Sequence, residues 1–136
     1  MSEARVRLCA LPSRYTRIFA AGLLPWGFEH GDGWCSLIED LCETINTLLS
    51  EEPDASVSTL QVKEKFGALR VYCRYSNMSQ SLAARITAAV RAAENESAQI
   101  CERCGQPAEP QAIRLVMAAL CAPCLAQRAL LEDESL

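Results

Sequence analysis

Two cysteine pairs near the C-terminal end, in CERCGQPAEPQAIRLVMAALCAPC, leave that segment few ways to fold: Cys101, Cys104, Cys121 and Cys124 follow the spacing C-x2-C-x16-C-x2-C. Such pairs let four thiolates close a tetrahedron around one ion, and the spacing predicts one structural Zn2+ held by all four. Gly105 after Cys104 fits a zinc knuckle, in which glycine lets the chain turn so that backbone amides face the sulfurs. The second pair is expected to open a helix from about Cys124 to Leu131, whose N-terminal dipole favours thiolate charge. Knuckle, short extended segment and helix N-terminus together describe a treble-clef-like finger. Two rival readings exist, simple buried thiols and a redox dithiol, but a dithiol enzyme needs only one C-x-x-C at a helix N-terminus. Four cysteine ligands leave no open coordination position, so the ion is structural rather than catalytic. Four thiolates and one Zn2+ would take the formal charge from −4 to about −6, which makes Arg103, Arg114 and Arg128 either neutralising neighbours or ordinary solvated cations.

The rest of the 136-residue chain, half of it apolar, is long enough to bury a core. The expected fold is α+β: a small antiparallel sheet packed by helices over residues 1–100, with the finger and C-terminal helix of 101–136 packed as one unit with it. Tyr15, Ile18 and Phe19 predict a short first helix over Pro12–Ala21, preceded by Ser13 and ended by Gly22. Leu24–Trp34, rich in glycine and aromatics, reads as an ordered loop, with Asp32 as a cap for the next helix. From Trp34 the apolar positions 34, 37, 38, 41, 42, 45, 48 and 49 form the stripe of an amphipathic helix. After a loop around Pro53 the period drops to two, which predicts an antiparallel hairpin turning at KEKFG, with Leu60, Val62, Leu69, Val71, Cys73 and Tyr75 inward. Residues 79–100 return to helical spacing through Leu82, Ile86, Ala89, Val90, Ala93 and Ile100.

Several function classes lose support at this level. The longest apolar stretch, Leu115–Pro123, is too short to cross a bilayer, and the first residues lack the pattern of a secretory signal, so a cytoplasmic location without membrane contact is expected. The net charge of −4 argues against a bulk-charge nucleic-acid coat. No H-x-E or C-x-E precedes a P-C-x-x-C, which removes the nucleobase deaminases. His30 is the single histidine, so Ser-His-Asp machinery and histidine-dependent nucleases lack parts, and no enzyme or small-molecule substrate is expected. Cys42 and Cys73 lie on apolar stripes and read as small core residues, while Cys9 and Cys35 are scattered singly. Trp26, Phe28 and Trp34 are read as core aromatics in preference to a pocket.

The same alternation that turns Val62 and Leu69 inward puts Gln61, Lys63, Arg70, Tyr72 and Arg74 on the other side of the hairpin. Lys63, Arg70, Tyr72 and Arg74 then form a compact cationic patch around an aromatic ring. Such a patch suits an acidic partner, or phosphates with a base stacked on Tyr72.

QVKEKFGALRVY, residues 61 to 72, resembles a motif of small bacteriophage and prophage proteins of uncharacterised activity. Members share a GDGW segment, here Gly31 to Trp34, the VKEKFG-x-LR-x-Y hairpin and a C-x2-C-G-x-P finger, and the resemblance spans about residues 26 to 125. Many of these proteins end the finger in C-x-x-H where this chain has Cys124, a change that keeps zinc geometry. Alone, the finger also resembles that of the TraR and DnaK-suppressor type, proteins that enter the secondary channel of RNA polymerase. Those proteins place a long coiled coil before the finger, where this chain is predicted to have a sheet domain. The resemblance implies a phage origin and brings no established activity with it; together with the missing catalytic set and the small zinc-stapled fold it leads to the expectation of a noncatalytic phage-type accessory protein that binds a host protein of a defence or transcription system, in the host cytoplasm. The alternative is a nucleic-acid-binding module using the basic hairpin face.

Overall fold

The structure, a computed structural model, describes residues 1–113 and 116–134 of the chain and has an α+β architecture. Helix α1 spans Glu3–Arg14, and Ser2 caps it by accepting from the Arg5 amide at 3.0 Å. The first helix therefore precedes the segment in which the sequence pattern placed it. Leu8 and Leu11, both fully buried, supply its inward face, and Pro12 sits in its last turn. Residues 15–21 turn instead, and Ile18 and Phe19 fill the core from a segment that runs beside a strand rather than from a helix.

Strand β1 is only Phe28–Glu29, helix α2 spans Cys35–Leu49, and strands β2 and β3 span Ser56–Lys65 and Ala68–Ser76. The expected hairpin is present as the antiparallel pair β2–β3, but the sheet is mixed, because β1, inside the segment read as a loop, pairs with β2 in parallel. Beyond β1, residues 17–20 satisfy the same edge of β2: Arg17 and Ile18 carbonyls accept from Val57 and Thr59 amides, and Ala20 donates to Val57.

Strict alternation fails at one point in β2. The register passes from Thr59↔Cys73 to Gln61↔Tyr72, leaving Leu60 as an extra residue in a β-bulge. Leu60, expected inward with Val62, is 36% exposed, and Val57 and Thr59 take the inward places before the bulge. Beyond the bulge the alternation holds, with Val62 and Leu69 buried and Val71, Cys73 and Tyr75 packed against the core.

Helix α3 spans Gln80–Ser97 and is capped by the Ser79 hydroxyl, which accepts from the Leu82 amide. It buries Leu82, Ile86, Val90, Ala93 and Ser97. Ile38, Leu41, Cys42 and Ile45 of α2 meet Val57, Val62, Val71 and Val90 across the inner side of the sheet. β3 is an edge strand, and α3 closes part of that edge: Ser97 and Glu94 side chains accept from the Leu69 and Val71 amides at 2.8 and 3.0 Å. Among the described residues no helix is long and apolar enough to cross a membrane.

The C-terminal segment adds the antiparallel pair β4, Glu109–Ile113, and β5, Val116–Leu120, then helix α4, Ala122–Glu134. Ala119, fully buried, belongs to the main core, whereas Cys101, Ala118 and Leu120 form a second small cluster with Cys121, Cys124 and Leu125 against it. At the hairpin turn, a Cβ on Gly67 would lie 3.1 Å from the Ala118 nitrogen, so the tip of β2–β3 rests directly on β5.

A candidate metal centre seated on the GDGW segment

Three stretches deliver the cysteines. Cys101 and Cys104 flank a tight turn after α3 in which the Gly105 amide donates back to the Cys101 carbonyl at 2.9 Å, at a left-handed φ of +85° that suits glycine. Cys121 follows β5, and Cys124 lies in the first turn of α4, which begins at Ala122, ahead of the expected start at Cys124. All four predicted ligands converge: their sulfurs lie within 4.8 Å of one another, with Cys104 and Cys121 at 3.5 Å. Tetrahedral thiolates about 2.3 Å from one ion sit about 3.8 Å apart, so the cluster has the size such a centre needs. Cys101 is fully buried, Cys121 and Cys124 are half-buried and Cys104 is exposed.

The thiols differ in acidity. Burial works against ionising Cys101, but the backbone amides of Cys121, Cys104 and Arg103 aimed at its sulfur outweigh it and bring the thiol down to about 6. Cys124 is pushed up to about 12, chiefly by the neighbouring Cys121 thiol, then by burial and by Cys101 and Cys104. Sulfurs this close do not all ionise unaided, and a cation between them removes that obstacle. Arg103 contributes its backbone amide, Arg128 acts electrostatically on Glu102, and Arg114 lies outside the described residues.

The knuckle is not suspended from the core; it is seated on GDGW. The Gly33 amide donates to the Glu102 carbonyl and the Gly31 amide to the Glu102 carboxylate, each at 2.7 Å. A Cβ on Gly33 would stand 2.0 Å from the Cys101 carbonyl oxygen, and one on Gly31 2.4 Å from that of Glu102. Both glycines are therefore required by close backbone approach. Burial raises the Glu102 carboxyl, opposed by the Gly31 hydrogen bond and Arg128. Trp34, fully buried, donates from its indole to the Ile100 carbonyl at 2.9 Å, just before the knuckle.

Arg5 fixes this seat from α1. Its guanidinium donates to the Phe28 and His30 carbonyls at 2.9 and 2.6 Å and to the Asp32 carboxylate at 3.1 Å. Asp32 also accepts from the Ser2 hydroxyl, so it joins α1 to the loop instead of capping α2, which a short 3-10 turn over Asp32–Trp34 introduces. His30 is buried between Phe28 and Trp34, with Nδ1 donating to the Gly31 carbonyl at 2.8 Å and Nε2 without a partner among the described residues. Burial lowers its pKa, which favours the neutral ring. Of the three loop aromatics, Trp34 is core, Phe28 packs edge-on against Phe19, and Trp26 is 70% exposed.

The proposed partner-binding residues share one open face of the hairpin. Lys63 lies opposite Arg70, Gln61 opposite Tyr72 and Ser58 opposite Arg74, and cross-strand partners in register point to the same side. Tyr72 is 42% exposed. The bulge leaves this set intact because it falls before Gln61, and it adds Leu60 to the exposed apolar surface. Among the described residues none of Lys63, Arg70 and Arg74 makes a salt bridge; Glu29 of β1, beside Lys63 in register, accepts instead from Gln61. Burial raises the thiols of Cys42, to about 12, and of Cys73; Cys42 is buried in the core and Cys73 is half-buried against it.

No family model, curated protein or solved structure matches the chain. The four-cysteine cluster and its seat therefore rest on this chain's own geometry.

Proposed function

We propose that this chain is a zinc-stapled, noncatalytic accessory protein of phage type that acts by binding a host macromolecule through the open face of the β2–β3 hairpin. The observation that carries this reading is the grouping of Lys63, Arg70 and Arg74 around exposed Tyr72, without a described salt bridge, in a chain of net charge −4. Cations gathered on one face against the overall balance suit an anionic partner. Zn2+ is the ion an all-thiolate tetrahedral set favours, and four protein ligands give it a structural role. The cationic face suits an acidic host protein, and the phage-like motifs with no catalytic set among them favour one of a defence or transcription system, in the host cytoplasm. Nucleic acid is the second reading, favoured by the exposure of Tyr72 among the cations.

Affinity capture from host lysate, with wild type and Arg70→Ala/Arg74→Ala side by side, tests the assignment of the face. The double variant should keep its metal, lose no more than about 1 kcal/mol of stability, and lose the retained partner. Arginines at an interface centre commonly contribute more than about 2 kcal/mol each. Leu69→Ala is the control, since Leu69 is adjacent but fully buried. It should destabilise by about 2 to 5 kcal/mol and weaken binding only through unfolding. Unchanged capture by the folded double variant would overturn the reading.

A further inference from the structure

The apex of the hairpin holds a residue that the fold does not call for. Phe66 and Gly67 form a two-residue loop in which both φ angles are positive, +54° and +82°. That is the arrangement of a type I′ turn, where Asn-Gly is preferred because asparagine tolerates left-handed backbone far better than a bulky aromatic does. Gly67 is explained by its contact with β5. Phe66 is not: its ring is 71% exposed, belongs to neither core cluster, and has the Lys65 ammonium 5.6 Å from its centroid. A strained backbone position thus keeps an aromatic ring in solvent, and strain of this kind concentrates at functional sites.

Lys65, paired with Ala68, lies on the same side of the hairpin as Lys63 and Arg70. The open face therefore runs from Arg74 past Tyr72, Arg70, Lys63 and Lys65 to Phe66 at the tip. Tyr72 lies opposite Gln61, and Phe66 is about five positions further along, roughly 16 Å in the strand direction. A protein partner is typically gripped by aromatic anchors clustered at the centre of a patch. Here the two rings stand at separate points along a row of cations, an arrangement suited to a flexible chain that bears negative charges and flat rings at intervals. Paired bases in a duplex are already stacked, so free ring faces of this kind select unpaired ones.

Building on the reading of this face as the binding surface, and taking the second of its two partner classes over the acidic host protein, we propose that its occupant is single-stranded nucleic acid, with Tyr72 and Phe66 as stacking platforms for two bases and Lys63, Lys65, Arg70 and Arg74 on phosphates. The stacking is sequence-tolerant, because every base offers a ring face, and the cations make the affinity depend on salt.

The test is fluorescence anisotropy of a labelled oligo-dT of about 20 nucleotides with the full, metal-loaded chain, at about 50 and about 200 mM salt. Wild type should bind, more weakly at the higher salt. Phe66→Asn installs the residue the turn prefers, so its melting temperature should hold or rise while affinity falls roughly tenfold or more with the salt slope unchanged. Tyr72→Ala should behave likewise in affinity, whereas Lys63→Ala should lower the salt slope by about one. Equal binding by Phe66→Asn and wild type, or by a duplex of the same length, would overturn the proposal. So would the absence of oligonucleotide binding at low salt. If Arg70→Ala/Arg74→Ala still loses a captured protein in that case, only the occupant is wrong; if it loses nothing, the surface assignment fails as well.

Discussion

Gly33→Ala is expected to unseat the knuckle from the core and weaken the hold on the metal ion. Its φ is not left-handed, so the cost is purely steric: the new methyl would stand 2.0 Å from the Cys101 carbonyl oxygen and 2.6 Å from the Gly105 nitrogen. Both are backbone atoms of the metal-binding turn, with no flexible side chain to move aside. Overpacking of this kind costs about 3 kcal/mol, or roughly 10 °C in melting temperature for a domain of this size. Gly27→Ala isolates the backbone effect, since Gly27 has a φ of +65° with nothing within 4 Å of an added Cβ. It should cost about 1 kcal/mol and leave metal binding untouched. Thermal melts and competition with a chelator check both variants; equal, mild effects would show that GDGW is not the seat of the knuckle.

The other large effect is expected at Cys101. Its sulfur is the buried one and the one that backbone amides prepare as a thiolate. Changing a group that merely supports a ligand commonly costs 10- to 100-fold in metal affinity, so Cys101→Ser should lower it by at least about 100-fold. The loss should spread beyond the finger. Glu102, next in sequence, holds Gly31 and Gly33, and the Glu102 amide donates to the carbonyl of Ala119, itself part of the main core. Circular dichroism and chelator competition should therefore report a loosened core together with metal loss. Cys9→Ser, at an exposed helical position, should change neither. Equal damage from the two variants would mean that the cysteines do not divide into four ligands and four bystanders.

What was legible in the sequence was whatever local periodicity or spacing encodes. The cysteine spacing identified the four sulfurs that converge, and the period-two pattern placed Lys63, Arg70, Tyr72 and Arg74 on one face. The misread parts depend on long-range partners. Ile18 and Phe19 lie at helical spacing but are buried as a segment paired alongside β2, while the first helix relies on Leu8, Leu11 and a cap at Ser2. Leu60 continues the strand pattern, yet a bulge lifts it out of register, and no local propensity announces a bulge at that position. Asp32 had the look of a helix cap until Arg5 and Ser2, far away in sequence, claimed its carboxylate. The role of GDGW is not legible locally, because its reason lies about 70 residues further along, in the backbone of Cys101 and Glu102.

The central claim is that one ion, bound by Cys101, Cys104, Cys121 and Cys124, organises a finger built into the core. Native mass spectrometry of the full chain tests it most directly. The mass should correspond to one Zn2+ per chain, with the ion released on acidification as the thiolates take up protons and the finger unfolding as it leaves. A metal-free protein that is fully folded at neutral pH would contradict the claim.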